Sequence, residues 1–161
     1  MLDPNIPKFL AVVVVVVGAI IDWRTRKLPN LLTGPAALVG LVLNFYLGGV
    51  IQFAFALLGA VIGFVAIELP QWVTRKKYKD PLGGGDSRLL GALGAILLPS
   101  GVLQVVFYFC LIYGVFGVVA IFRRRRNPTA EPSTIALGPL IAAGTVLSIL
   151  LERQTKQFFG F

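Results

Sequence analysis

The sequence predicts an all-α integral membrane protein, and the amino-acid composition is the main basis for that prediction. Hydrophobic residues make up 57% of the 161 residues, whereas charged residues make up 14%, against roughly 25% in soluble domains. The mean hydropathy is +0.84. A soluble domain of this size has too little interior to bury that much apolar surface, so we expect lipid to surround the chain.

Six apolar stretches predict six transmembrane helices. A helical span needs about 20 apolar residues, and four stretches approach or exceed that length while two are shorter. Gly48-Gly49 separates the second stretch from the third, and Pro99-Ser100-Gly101 separates the fourth from the fifth, as expected of tight turns between helices. The predicted spans are Phe9–Ile21, Leu31–Leu47, Val50–Leu69, Leu89–Leu98, Gly101–Phe122 and Ile135–Leu151.

Basic residues predict the orientation of these spans. The connections Asp22–Asn30, Pro70–Arg88 and Arg123–Pro132 share one face and together carry 12 of the 15 Lys and Arg residues. Positively charged loops stay in the cytosol, so we expect three basic cytosolic loops and both termini outside. The net charge of +8 is therefore an orientation signal, and we expect the lipid bilayer, not a nucleic acid, as the partner of these residues.

The scarcity of reactive side chains excludes several classes of enzyme. The chain has no His and a single Cys, Cys110. Catalytic triads with His, Cys/His pairs, His-ligated metals and paired-cysteine metal sites are all excluded. We predict no metal and no cofactor, which leaves the seven acidic residues as the first candidates for chemistry.

Two aspartates border the two short spans. Phe9–Ile21 has 13 residues and is followed by Asp22, and Leu89–Leu98 has 10 residues and follows Asp86. At 1.5 Å per residue these helices cover only about 20 and 15 Å of a core roughly 30 Å thick. Residues next to each short span must therefore also lie within the membrane, which places both carboxylates at its cytosolic edge. An ionisable group at such a position indicates function.

Simpler interpretations exist for each residue alone. Asp86 is also a suitable N-cap for the fourth span, and Asp22 is placed to form a weak surface ion pair with Arg26. The run Gly83–Gly85 is typical of a flexible turn. Glu68 is either an interfacial residue or a third acid at the site, and we favour the first. None of these interpretations explains why both short spans end in an acid on the same face.

A pair of carboxylates has a definite chemistry at such a position. Two like charges a few ångströms apart in a low dielectric share one proton. The ionised partner can then take a proton from water while the protonated partner polarises a carbonyl group. This is aspartyl-protease chemistry, which needs no His, Cys or metal.

Three segments resemble a known family. Asp22-Trp-Arg-Thr-Arg-Lys-Leu-Pro-Asn30 resembles the D-x-(R/K)-x-R-x-(I/L)-P-N signature of type IV prepilin peptidases, and Gly83-Gly84-Gly85-Asp86-Ser-Arg-Leu-Leu-Gly resembles their G-x-G-D-x-K-L segment. Leu137-Gly138-Pro139-Leu140 resembles their late F-G-P element. Arg88 stands in place of the usual Lys, and Leu137 in place of Phe. The presenilin-like proteases share GxGD, so the combination is more specific than that motif alone.

The resemblance implies a membrane aspartyl endopeptidase with Asp22 and Asp86 as catalytic residues. Such enzymes lie in the cytoplasmic membrane of prokaryotes and cut the short basic leader from prepilins or pseudopilins, typically after Gly. Residues 1–161 would form a single peptidase domain without the N-terminal methyltransferase segment of longer members. The matching motif positions that would shape the site or bind substrate are Arg26, Lys27, Pro29, Asn30, Gly83, Gly85 and Arg88.

Two alternatives come from other functional classes. An ion-coupled carrier would use Asp22 and Asp86 as proton or cation sites. An inactive scaffold of a pilus or secretion machine would keep the fold without the activity. The sequence disfavours the carrier because it has no inverted repeat and because both acids lie at one face instead of at the midplane.

Overall fold

Four α-helices make up the described part of the chain. The computed structural model describes residues 5–25, 30–75, 84–126 and 137–151. The helices are α1 (Ile6–Thr25), α2 (Asn30–Arg75), α3 (Gly84–Arg126) and α4 (Leu137–Leu150). The all-α prediction is confirmed for these ranges.

The surfaces of the helices are apolar. Three helices are long and apolar enough to cross a membrane, and α4 is a shorter apolar helix. Large hydrophobic side chains such as Phe9, Leu38, Ile51 and Phe116 are exposed. Contiguous exposed apolar surface of this extent is unstable in water, so the fold is that of an integral membrane protein.

The 46-residue α2 is two helical segments joined by a glycine turn. Gly48 and Gly49 depart from helical geometry, and Gly49 has a φ of +66° and a ψ of −154°. Glycine adopts this conformation without the steric cost that a side chain imposes. A turn therefore lies where the sequence predicts one.

A second break divides α3. Leu98 leaves helical geometry with a φ of +66° and a ψ of 173°, one residue before the predicted Pro99-Ser100-Gly101 turn. The ring of Pro99 disfavours the helical conformation of the preceding residue, which explains why the break falls at Leu98. The segment before it has fourteen residues, Gly84 to Leu97, and is about 21 Å long, so it is short for a membrane span, as expected.

The side chain of Asn44 compensates for this break. Pro99 has no N–H to donate to the carbonyl of Ala95, four residues earlier. The Nδ2 of Asn44 donates to that oxygen at 2.8 Å and to the carbonyl oxygen of Ile96 at 3.2 Å. Asn44 is fully buried, so these bonds satisfy carbonyl groups that water cannot reach.

Replacing Asn44 by leucine is expected to destabilise the fold. Asn44→Leu keeps the side-chain size but leaves buried carbonyl groups unpaired, at a cost of about 1–3 kcal/mol in the free energy of unfolding. Thermal or denaturant unfolding in detergent measures the loss. Val42→Leu, a change at a lipid-exposed position two residues away, is the control, and equal stability of the two variants would contradict the role given to Asn44.

Glycines allow α2 and α3 to approach closely. A Cβ at Gly59 would overlap the carbonyl oxygen of Gly94, and a Cβ at Gly63 would overlap that of Leu90. Backbones can meet at this distance only through residues without side chains. The GxxxG pattern of Gly59 and Gly63 is thus an internal packing device that fixes the short segment of α3 against α2.

The buried core joins all four helices and sets their relative direction. It includes Val15 of α1, Ala36 of α2, Leu93 of α3 and Ile141 of α4. The end of α1 meets the beginnings of α3 and α4 at one end of the molecule. At the other end, a small cavity of about 90 Å³ is lined by residues that include Lys8, Ser100 and Ser148.

Candidate active site

Asp22 lies near the end of α1. The helix continues for three more residues, to Thr25, so it extends beyond the predicted apolar span Phe9–Ile21. The next two side chains, Trp23 and Arg24, are exposed, whereas Asp22 is only 7% exposed. A carboxylate at this depth needs compensating partners.

The beginning of α4 supplies such a partner. The backbone N–H of Gly138 donates a hydrogen bond of 2.9 Å to Oδ2 of Asp22. Gly138 is the second residue of α4, where N–H groups have no partner within the helix and the helix dipole favours negative charge. The unfavourable position of Asp22 at the end of α1 is therefore offset by the N-terminus of another helix.

Close packing at this contact requires a glycine. A Cβ on Gly138 would lie 2.7 Å from Oδ2, 2.8 Å from Cβ and 3.1 Å from Cγ of Asp22. These distances are too short for a methyl group, so a side chain here would displace either the carboxylate or the start of α4. The hydrogen bond and the missing side chain together fix the position of the Asp22 carboxylate.

Asp86 reaches the same place from α3. It lies in the first turn of that helix and is 8% exposed. The helix begins at Gly84, so Asp86 is within the first turn and does not precede it, as an N-cap residue would. The Asp22 and Asp86 carboxylates are close enough for a direct electrostatic interaction, and the structure thus brings together the two aspartates that the sequence singled out.

The residues after Asp86 differ in their surroundings. Ser87, Leu89 and Leu90 are fully buried, whereas Arg88 is exposed. Gly85 is half-buried beside Asp86. Of the other motif positions, Asn30 begins α2, while Arg26, Lys27, Pro29 and Gly83 lie outside the described residues.

Glu68 is the third acid considered for the site. It is half-buried in the second part of α2. Across the described ranges, no group of three Asp, Glu, Cys or His side chains is arranged as metal ligands would be. Gly59 faces Gly94 and Gly63 faces Leu90, and the same register continued brings Glu68 to about the depth of Asp86. Both interpretations of Glu68 stay predictions.

The comparisons with known proteins identify the family. The sequence profile of the type IV leader peptidase family matches residues 9–118, a range that contains both aspartates. The chain belongs to the type IV leader peptidase family. The resemblance of its motifs to this family is confirmed, although the matched range ends before α4 and therefore does not include Gly138.

Curated relatives of this family cover most of the chain. The chain is 34% identical over 143 residues to "Prepilin leader peptidase/N-methyltransferase" of Escherichia coli (strain K12), which is 88% of this chain and 61% of that protein. A protein of the same name from Xanthomonas campestris pv. campestris is 34% identical over 79% of this chain and 44% of its own length. The Myxococcus xanthus protein of that name is 32% identical over 78% and 38%.

The chain therefore spans between about two fifths and three fifths of the length of these type IV leader peptidase relatives. No solved structure matches the chain. The geometry of the two aspartates consequently comes from the present structure alone.

Sequence reasoning missed the contribution of Gly138. Leu137-Gly138-Pro139-Leu140 resembles a family element, but the resemblance assigned it no role at the site. The available signal was local: a glycine followed by proline at the beginning of an apolar stretch is typical of a helix N-terminus. That this N-terminus meets Asp22, 116 residues earlier, is a property of the tertiary structure.

Proposed function

We propose that the chain is a membrane aspartyl endopeptidase that removes the short basic leader from prepilin- or pseudopilin-like precursors. The observation that carries the proposal is the convergence of Asp22 and Asp86, buried on different helices at one end of the molecule. Family membership and the names of the relatives agree with it. The proposal concerns the peptidase activity alone.

The proposed chemistry uses the two aspartates and water. The ionised carboxylate takes a proton from a water molecule, whose oxygen attacks the carbonyl carbon of the scissile peptide bond. The protonated carboxyl donates a hydrogen bond to the carbonyl oxygen and stabilises the tetrahedral intermediate. Collapse of the intermediate breaks the C–N bond, and the leaving nitrogen takes up the proton that the carboxylate accepted from water. Asp22 and Asp86 act as one unit that shares a proton.

The site residues other than the aspartates have proposed positioning roles. Gly85, with no side chain, allows a substrate backbone to approach Asp86 closely, and Gly83 would act in the same way. Arg26, Lys27, Pro29 and Asn30 would shape the connection that follows Asp22. Arg88 would contact the substrate or a lipid headgroup on the exposed side of α3.

We propose six membrane crossings with both termini outside. The breaks at Gly48-Gly49 and at Leu98 divide α2 and α3 into two segments each, which with α1 and α4 makes six. Arg24 and Arg88 lie at the same end as the aspartates, and Lys8 lies at the other. With the basic loops in the cytosol, the aspartates face the cytosolic edge of the bacterial inner membrane, where a cytosolic leader would be accessible.

Co-expression with a precursor tests the proposal. The precursor carries a basic leader, a glycine before the cut bond and a following apolar stretch. The wild-type chain should reduce its size, and mass spectrometry should place the new N-terminus directly after the glycine. A matched precursor with isoleucine at that glycine should remain uncut. A carrier or an inactive scaffold would leave both precursors unchanged, and that result would overturn the proposal.

A further inference from the structure

A groove lies between the two parts of α2 and the first turns of α3. Its volume is about 530 Å³, a size typical of ligand sites. We call it the Arg88 groove, because Arg88 is the charged residue among its described lining side chains. Successive residues of an α-helix are about 100° apart, so Arg88 and Gly91 lie on the side of α3 away from Asp86. The groove is therefore separate from the pair of aspartates.

The Arg88 groove is open on its outer side. A Cβ built on Gly34, which lines the groove, would have no atom within 4 Å, so this glycine borders open space. Val61 and Phe64 also line the groove, and they are 59% and 39% exposed. Since exposed apolar side chains of this fold face lipid, the groove opens to the bilayer. A larger residue at Gly34 would fill it without displacing a helix.

The register of the helices gives the depth of the lining residues. The first parts of α2 and α3 run in the same direction, because Thr33 lies beside Arg88 in the groove and Gly40 contacts Ile96 further along both helices. Thr33 is seven residues before Gly40, and Arg88 is eight residues before Ile96. Thr33 and Arg88 therefore lie at about the same depth, close to the end of the molecule that holds the aspartates.

The polarity of the groove changes with depth. Thr33 and Arg88 are at its mouth, whereas the other described lining residues, such as Ala37, Ala60 and Ala92, are apolar. Side chains on a helix lean toward its N-terminus, which for α3 is the end at the membrane edge. Long basic side chains near the end of a membrane helix extend to the headgroup region in the same way. The groove thus combines a cation at the headgroup level with apolar walls below it.

This combination selects among the occupants that could reach the groove. A peptide held at the aspartates would have to pass around α3 to enter it. The apolar surface of a second copy of this chain would bury the charge of Arg88 without a counter-charge, which is costly. A phospholipid offers both an anionic phosphate and an apolar chain. Guanidinium and phosphate form charge-assisted, often bidentate hydrogen bonds.

We propose that the Arg88 groove is a binding site for one membrane phospholipid. The lipid phosphate binds Arg88 at the mouth, and the first methylene groups of an acyl chain lie along the apolar walls between the two parts of α2 and α3. This inference rests on the proposed orientation of the helices in the membrane and does not depend on the peptidase activity. It assigns a ligand to a surface that lies outside the aspartate site.

Lipid binding to the purified full chain in detergent tests the groove without any precursor. Native mass spectrometry follows a titration with dioleoylphosphatidylglycerol. Gly34→Leu fills the groove, Arg88→Gln removes the cation, and Gly114→Leu changes a helical glycine that also has open surroundings but does not line the groove. For the tightest-bound lipid, Gly34→Leu and Arg88→Gln should each raise Kd about fivefold or more, whereas Gly114→Leu should leave Kd unchanged. Dioleoylglycerol, which has the same chains without phosphate, should bind the wild-type chain about tenfold more weakly or worse.

The outcomes separate this inference from its rivals and from the proposed function. Equal Kd values for Gly34→Leu and Gly114→Leu, or equal affinity for dioleoylglycerol, would overturn it. Displacement of the lipid by millimolar inorganic phosphate would indicate a site for a free anion and would also overturn it. Arg88→Gln changes an exposed side chain, so it keeps the test decisive if Gly34→Leu lowers the unfolding temperature without lipid. Failure of lipid binding leaves the peptidase assignment intact, and absence of cleavage leaves this inference intact.

Discussion

Asp22→Asn and Asp86→Asn are each expected to reduce cleavage of a leader-bearing precursor by about 10³-fold or more. Asparagine has the size of aspartate but cannot take a proton from water or supply a carboxylic proton. When two residues act as one catalytic unit, replacing either of them removes most of the rate enhancement that the two provide together. The double variant should therefore cut the precursor only slightly more slowly than either single variant. Quantifying the cut fraction of the co-expressed precursor over time measures all three.

The fold of these variants provides the necessary control. The side-chain oxygen of the Asp22→Asn variant can still accept the hydrogen bond from Gly138, so this variant should keep a near-normal unfolding transition in detergent. Gln104→Ala changes a side chain at the other end of the molecule, where it lines the small cavity with Lys8 and Ser148, and this variant should cut the precursor at close to the wild-type rate. Substantial cleavage by either aspartate variant would contradict the assignment of these residues as catalytic.

Much of the fold was predictable because it depends on local chemistry. The apolar composition predicts lipid as the surroundings, and Gly48-Gly49 and Pro99 predict breaks because their backbone preferences act on their nearest neighbours. The ends of the helices were less predictable. Hydropathy marks the part of a helix in the membrane, whereas α1 and α3 continue through polar residues at the ends of their apolar stretches.

The candidate site was predictable only in part. Asp22 and Asp86 stand out because each borders a short span and lies in a recognisable motif. Asn44 could not be connected with the break at Pro99, because its partners Ala95 and Ile96 are more than 50 residues away. The hydrogen-bond partner of Asp22 could not be predicted from the sequence for a further reason. It is a backbone N–H, which every residue other than proline has, and only the packing of α4 against α1 selects Gly138.

Gly138→Ala is expected to lower the rate of cleavage by about 10–100-fold. The added methyl group would lie 2.7 Å from Oδ2 of Asp22, so the carboxylate or the start of α4 must move and the hydrogen bond from the Gly138 N–H is weakened. A bond to a charged group contributes about 1.5–3 kcal/mol, and a displacement of 1 Å at a reacting group can cost 100-fold in rate. The loss should appear in kcat, measured on purified enzyme with a precursor peptide.

Gly114→Ala is the matched control, since a Cβ at Gly114 meets no atom within 4 Å. It should leave kcat unchanged, and an equal loss in both variants would contradict a specific role for Gly138.

A double-mutant cycle then locates the cause of the Gly138→Ala effect. Asp22→Gly removes the three atoms nearest to the new methyl group, so Gly138→Ala should destabilise the wild type much more than it destabilises the Asp22→Gly variant. Contacting residues show such non-additivity in the free energy of unfolding, typically about 0.5–3 kcal/mol. Additive effects would mean that Gly138 acts through the conformation of α4 instead of through Asp22. Non-additive effects would show that the N-terminus of α4 holds one of the two carboxylates in place.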